Sequence, residues 1–315
     1  MVDKNLFLYD LAVAAIMKNE EPYVNEWLDY YLLAGVDHFY IYDNESTPEF
    51  KKILQPYIDA GIVTYTFYPG KVRQMEAYLD AVKRFKFQCR YMAMIDGDEF
   101  IFPKSKSTIN EVVNEVIGDN KNFSGLAINW VIFGSNGQEK ADLTRGVLER
   151  FTARAANVHT TVKTIINPRR VRFWTQPHNP IYFDGCFAVS ENGNIVPGYS
   201  IENNTAEKIC VNHYNTKSRE EWEKKVARGR SDVPTKNKLE DFKWRDKNDV
   251  FDDEILKYRD ARLPECCEGG GGLSISCTPR KSITPNYFQR LCQLWRRPFA
   301  KMRRKIFLRG KLKNF

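Results

Sequence analysis

Over the first hundred residues, short apolar runs alternate with segments whose apolar positions recur at three and four. Leu11 to Met17 is a continuous apolar run, the pattern of a strand buried on both faces. Asn19 then offers a helix N-cap, and Pro22 suits a first helical turn. Val24, Trp27, Leu28, Tyr31 and Leu32 share one helical face, and Gly35 ends that helix. A second strand is expected over His38 to Tyr42 and a second helix over Pro48 to Ala60, with Gly61 after it. Ile62 to Phe67, rich in β-branched and aromatic residues, predicts a third strand. Lys71 to Phe87 predicts a third helix, and Tyr91 to Ile95 a fourth strand.

Such spacing needs crossover connections, which make neighbouring strands parallel. The expected fold is therefore α/β: a Rossmann-like, mainly parallel sheet flanked by helices. No GxGxxG follows the first strand, so a dinucleotide fingerprint is missing. The stretch from Ser124 to Tyr214 is less regular, with strand-like runs at Gly125 to Phe133 and Thr161 to Ile166. It suits the acceptor side of an enzyme. Lys217 to Ala227 predicts a helix opened by a capping box, Ser218 with Glu221. These patterns divide the chain into a body over 1–265, itself a nucleotide-binding half (1–105) and an acceptor-side half (106–265). A linker over 266–279 contains four consecutive glycines, and a tail covers 280–315.

Composition changes the picture in one place. The net charge of +8 is concentrated in the tail, where Arg280 to Phe315 holds 12 Lys or Arg and no acid. The remainder holds 36 basic and 40 acidic residues, a net of −4, which disfavours a nucleic-acid-binding body. In the tail Phe288, Leu291, Trp295, Phe299, Met302 and Ile306 recur at helical spacing among the cations, with Pro298 marking a kink. A basic amphipathic helix of this kind suits an anionic membrane surface; a nucleic-acid arm, a calmodulin-type target or a helix docked on the body are the alternatives. No apolar run is long enough to span a bilayer, and Met1 to Asp10 has no leader pattern. Seven cysteines without CxxC spacing fit a reducing compartment. The expected location is the cytoplasm, peripherally on a membrane.

The sharpest chemical signal is Asp96-Gly97-Asp98-Glu99, placed where an apolar strand ends. Ligands of open α/β sheets bind beyond the carboxyl ends of the strands. Two aspartates separated by glycine can turn oxygens toward one hard cation, Mn²⁺ or Mg²⁺, which also takes substrate phosphates. A solvated acidic turn is the plainer alternative. The ends of the first two strands, Lys18-Asn19-Glu20 and Asp43-Asn44-Glu45-Ser46, fall along the same sheet edge, where helix capping and turn chemistry would also explain them.

Taken together, these words resemble the GT-A-type nucleotide-sugar glycosyltransferases, and more closely the family-2-like and family-92-like enzymes. The matching segments are Met17 to Glu20, Glu26 to Tyr31, Gly35 to Ser46, Gln74 to Tyr78 and Asp96 to Pro103. Asn129-Trp130, Phe133 to Ser135, Val162 to Thr164, His213 to Ser218 and Lys225 to Gly229 follow in order. The resemblance implies a nucleotide-sugar donor, UDP-linked, a saccharide or lipid-linked acceptor, a Mn²⁺ or Mg²⁺ cofactor and an inverting transfer. It implies Asp98 as a direct metal ligand, Asp96 on metal or ribose, and His213 as a further metal ligand or a structural histidine. Lys18, Asn19 and Asp43 would flank base and ribose, and Gln74 and Tyr78 would face the donor. Lys163, Arg228 and Arg230 would meet diphosphate oxygens unless they are solvated surface cations. Trp130 is an acceptor platform or a core tryptophan. Asp184 is the candidate general base, with Glu99 and Glu149 as rivals. Two other classes stay open: an aspartyl-phosphate phosphatase, which would need its first Asp on an early strand, and a non-enzymatic protein binding membrane or nucleic acid through the tail.

Overall fold

The computed structural model describes residues 6–202, 205–235 and 237–260. The linker 266–279, the tail 280–315 and Cys266, Cys267, Cys277 and Cys292 lie outside them. Residues 1–258 form one compact unit, described here by itself.

The four early apolar runs are strands β1 (Tyr9–Met17), β2 (His38–Asp43), β3 (Val63–Phe67) and β4 (Cys89–Met94). They lie side by side in the order β3–β2–β1–β4, all parallel, as the crossovers require. Helix α1 (Val24–Leu33) covers one face of this sheet and α3 (Gln74–Phe85) the other; α2 (Pro48–Asp59) connects β2 to β3. Alternation along β2 shows the layering. Phe39 meets Trp27 and Tyr31 of α1, with ring centroids 5.7 and 6.5 Å apart, while Tyr40 stacks on Phe85 of α3 at 4.0 Å. All six β2 side chains are buried, as expected of a two-faced strand.

One local expectation fails. Asn19 does not cap α1: it stands at φ 55°, four residues before the N-cap position at Tyr23, which has no side-chain cap. The turn after β1 is instead closed by the Asn19 N–H donating to Ser46 Oγ at 2.9 Å, tying the ends of β1 and β2 together.

Beyond β4 the chain adds β5 (Glu99–Pro103), α4 (Ile109–Ile117), β6 (Phe123–Ile132), α5 (Val147–Arg150), β7 (Ala153–Arg154) and β8 (Val162–Ile166). Then come β9 (Val171–Phe173), β10 (Ile181–Tyr182), β11 (Phe187–Val189), β12 (Ile195–Val196), β13 (Ile209–His213), α6 (Arg219–Arg228) and β14 (Val250–Phe251). The parallel sheet continues into this half, so the two expected halves share one core. Strand β8 runs antiparallel between β4 and β6, β11 follows parallel to β6, and β12 closes that edge antiparallel. The sheet is thus parallel across its first four strands and mixed beyond them.

Strand β6 belongs to two sheets. Gly125 to Asn129 pair with β8, whereas Trp130 to Ile132 pair with β13. Strand β13 also runs antiparallel to β5, with His213 opposite Glu99. This curl folds a C-terminal strand back onto the acidic segment that follows β4. Among the described residues, no helix is long and apolar enough to cross a membrane.

Candidate active site

The carboxyl ends of β1, β2 and β4, the end of β13 and the last turn of α6 enclose a cleft of about 680 Å³. That volume lies within the range of small-molecule sites. Asp96 and Asp98 form its floor, and Lys18, Lys71, Lys225, Arg228, Arg230 and Arg245 supply cations around it. Gly97, between the aspartates, has little spare room: a Cβ there would stand 3.3 Å from Glu20 Cγ.

The two aspartates have different surroundings. Asp96 Oδ1 accepts from Gln74 Nε2 at 2.6 Å and from the Tyr78 hydroxyl at 3.1 Å, while Lys163 Nζ lies 2.8 Å from Oδ2. Lys163 is fully buried and also lies 3.4 Å from Glu99 Oε2. Burial alone would lower the Lys163 ammonium, but Asp96 and Glu99 outweigh it and hold it well above its ordinary value. Glu99 is itself wholly buried. Desolvation, with Asp96 and Asp98 nearby, pushes it up to about 8 against the pull of Lys163. Beneath the cleft floor, then, Asp96 is clamped from both sides.

Asp98 faces the C-terminal elements. Lys225 Nζ stands 2.5 Å from its Oδ2, and His213 Nε2 3.7 Å from its Oδ1. Burial would raise the Asp98 carboxyl, but Lys225 and His213 hold it well below the usual carboxylate range. Burial pushes His213 the other way, lowering it despite Asp98, so its imidazole is neutral near pH 7. A neutral imidazole and an ionised carboxylate are a donor pair suited to a hard or borderline divalent cation. No cluster of three or more His, Cys, Asp or Glu able to hold a metal occurs among the described residues. Asp98 and His213 stand side by side at the cleft, whereas Asp96 is held by Gln74, Tyr78 and Lys163.

The other expected residues divide into those at the cleft and those behind it. Lys18, Gln74, Trp130, His213 and Arg228 line it. Arg228 donates to the Lys18 carbonyl at 2.6 Å and to Glu20, which pins the end of α6 to the end of β1. Trp130 packs its ring against His213, centroids 4.3 Å apart, and is only partly buried. Tyr78 and Lys163 act from behind Asp96. Asp43 is a correction: it is buried, accepting from Tyr65 at 2.6 Å and from the Ser46 N–H at 2.9 Å, and the residues of its turn that reach the cleft are Asn44 and Glu45. Asn19 likewise serves the turn and does not line the cleft.

The candidate bases fare differently again. Asp184 lies on an exposed turn between β10 and β11, outside the cleft. Glu99 has no exposed surface, and Glu149 pairs with Arg145 at 3.2 Å away from the cleft. None of the three lines the cleft.

Lys225 is the residue that sequence reasoning left without a role. Its signal lies in α6, where Glu221, Lys225 and Arg228 are spaced by four and three and so share one face. Each reaches a different part of the body: Glu221 binds Arg150 and Tyr23, Lys225 binds Asp98, and Arg228 binds Glu20.

A parallel strand edge carrying an acidic pair, closed over by a curled mixed sheet, defines a GT-A-type α/β domain. The chain belongs to glycosyltransferase family 92, whose model matches residues 12–255. A family 92 protein of Ricinus communis is 20% identical over 70% of this chain and 38% of its own length. One of Oryza sativa is 24% identical over 51% of this chain and 27% of its own. The chain thus spans less than two fifths of the length of these relatives. Among solved structures, S. aureus TarS (residues 1–349) in complex with UDP aligns at 15% identity and TM-score 0.35, over 50% of this chain and 47% of that one. Glucosyl-3-phosphoglycerate synthase of Mycobacterium tuberculosis with Mn²⁺ and UDP aligns at 18% identity and TM-score 0.27, over 39% and 44%.

Proposed function

We propose that this chain is a metal-dependent glycosyltransferase that moves a sugar from a UDP-linked donor to a saccharide or glycolipid acceptor. The observation that carries the reading is the pairing of Asp98 with His213 on the floor of a cation-rimmed cleft. Asp98 and His213 would hold Mn²⁺ or Mg²⁺ together with oxygens of the donor diphosphate. When bound, the ion stabilises negative charge on the departing nucleoside diphosphate.

The chain's own side chains do the rest. Lys18 and Arg228 face the diphosphate, Arg228 with a fork geometry suited to phosphate. Gln74, Tyr78 and Lys163 fix the Asp96 carboxylate, which is oriented for the ribose. Trp130 offers an apolar face to a sugar ring. Segment 280–315 would hold the enzyme at an anionic membrane surface, where a lipid-linked acceptor resides.

Calorimetric titration of UDP with and without Mn²⁺ tests this reading, with wild type beside Asp98→Ala. Wild type should bind UDP in a Mn²⁺-dependent manner, and the variant should lose at least about a hundredfold in affinity. An unaltered affinity in a folded Asp98→Ala protein would sink the donor-site assignment.

A further inference from the structure

Two lysines approach the acidic pair, and their freedom differs. Lys163 has no exposed surface and lies between Asp96 and Glu99 on β8, so it stays where it is. Lys225 lines the open cleft, and its side chain keeps 19% of its surface exposed. Its ammonium has three acceptors: Asp98 Oδ2, the Asn215 carbonyl at 2.9 Å and the Asn215 side-chain oxygen. An ammonium carries three N–H donors, so this seat satisfies it fully. That seat is on Asp98, the aspartate that stands beside His213.

We infer that Lys225 is a resident counter-ion that occupies Asp98 in the free protein and is displaced onto the donor's diphosphate when a divalent cation binds. The inference rests on the donor-site reading above. An ammonium and a divalent cation repel when both sit on one carboxylate. Asp96 already has its own resident cation, Lys163 at 2.8 Å from Oδ2, besides Gln74 and Tyr78 on Oδ1. The four-carbon stem of Lys225 lets its head group move within the cleft while its backbone stays in α6. The diphosphate supplies new acceptors for the ammonium, so cation and nucleotide assist each other. Coupling between the two ligands therefore arises from one side chain exchanging partners.

Binding of Mn²⁺ to the full chain, read by electron paramagnetic resonance, tests this in wild type, Lys225→Met and Lys225→Arg. In wild type, saturating UDP should tighten Mn²⁺ binding by about tenfold or more. Without UDP, Lys225→Met should bind Mn²⁺ about tenfold more tightly than wild type, and UDP should add correspondingly less. Lys225→Arg keeps the charge and should stay close to wild type. Equal or weaker Mn²⁺ binding by Lys225→Met, with a melting curve like that of wild type, overturns the inference; so does Mn²⁺ binding by neither protein. Failure of UDP to bind under any condition removes the donor-site reading instead. The comparison in Mn²⁺ alone still decides the role of Lys225.

Discussion

Two helices of this chain begin with the same four-residue device in different settings. Thr108 and Glu111 open α4 with a capping box: the Glu111 N–H donates to Thr108 Oγ1 at 3.3 Å, and the Thr108 N–H to Glu111 Oε2 at 2.9 Å. Ser218 and Glu221 open α6 with the same exchange, at 3.3 and 3.0 Å. Glu111 is exposed, and among the described residues its carboxylate takes a hydrogen bond from the Thr108 N–H alone. Glu221 is buried, and its carboxylate also takes a bidentate pair from Arg150 at 2.8 and 2.9 Å and the Tyr23 hydroxyl at 2.8 Å. Arg150 ends α5, whose first N–H groups, those of Val147 and Leu148, donate to Glu26 of α1. The second box therefore anchors the helix carrying Lys225 and Arg228 to the sheet half that carries Asp98. A local motif states where a helix begins; burial decides whether it also joins distant parts of the chain.

Removing the shared carboxylate should separate the two settings most strongly. Glu221→Gln leaves the Arg150 guanidinium, 1% exposed, without its counter-charge, at an expected cost of about 3–5 kcal/mol in urea unfolding. Thr108→Ala should cost about 1 kcal/mol, the usual worth of an N-cap. Glu111→Gln should stay within about 0.5 kcal/mol, as exposed substitutions do. Equal losses for Glu221→Gln and Thr108→Ala would show that burial is not what distinguishes the boxes.

Acid sharpens the same contrast. Burial would raise Glu221, but Arg150 and Ser218 outweigh it and bring the carboxyl from 4.5 down to about 2. Because the folded value is the depressed one, this group's stabilisation is complete above pH 4.5 and is lost as pH falls toward 2. Glu221→Gln should abolish that part of the slope in a series of melting temperatures. His38, which burial lowers to about 4, titrates in an earlier window. The unfolded chain takes up its proton first, so stability falls between pH 6.5 and 4 in both proteins.

The regular half of the fold was legible because strand and helix periods are local. The runs at Leu11, His38, Ile62 and Tyr91 are strands in the order the crossovers demand, and the Ser218–Glu221 box is where the motif placed it. That Gln74, Asp96 and Asp98 lie along one cleft was legible for the same reason, since strand ends and helix starts locate them. What escaped depends on long-range pairing. β13 is the middle strand between β5 and β6, a relation no local pattern states, and it alone brings His213 beside Asp98. Asp43 looked like a ligand-facing strand end, but its carboxylate is consumed by Tyr65 and its own turn. Asp184 was a carboxylate chosen by region, and the exposed turn that holds it does not line the cleft.

The return of β13 across the molecule also has a consequence for how the protein is made. Pairing β13 with β5 joins residues about a hundred positions apart, and contacts of such separation close late and slowly. A chain emerging from the ribosome can assemble its parallel strands, with both aspartates, well before His213, Lys225 and Arg228 have been synthesised. Asp98 and the edges of β5 and β6 that pair with β13 then wait without their partners, a period in which unpaired strands invite misassembly. A nascent chain stopped before α6 would hold Asp96 with Lys163 in place but Asp98 without Lys225.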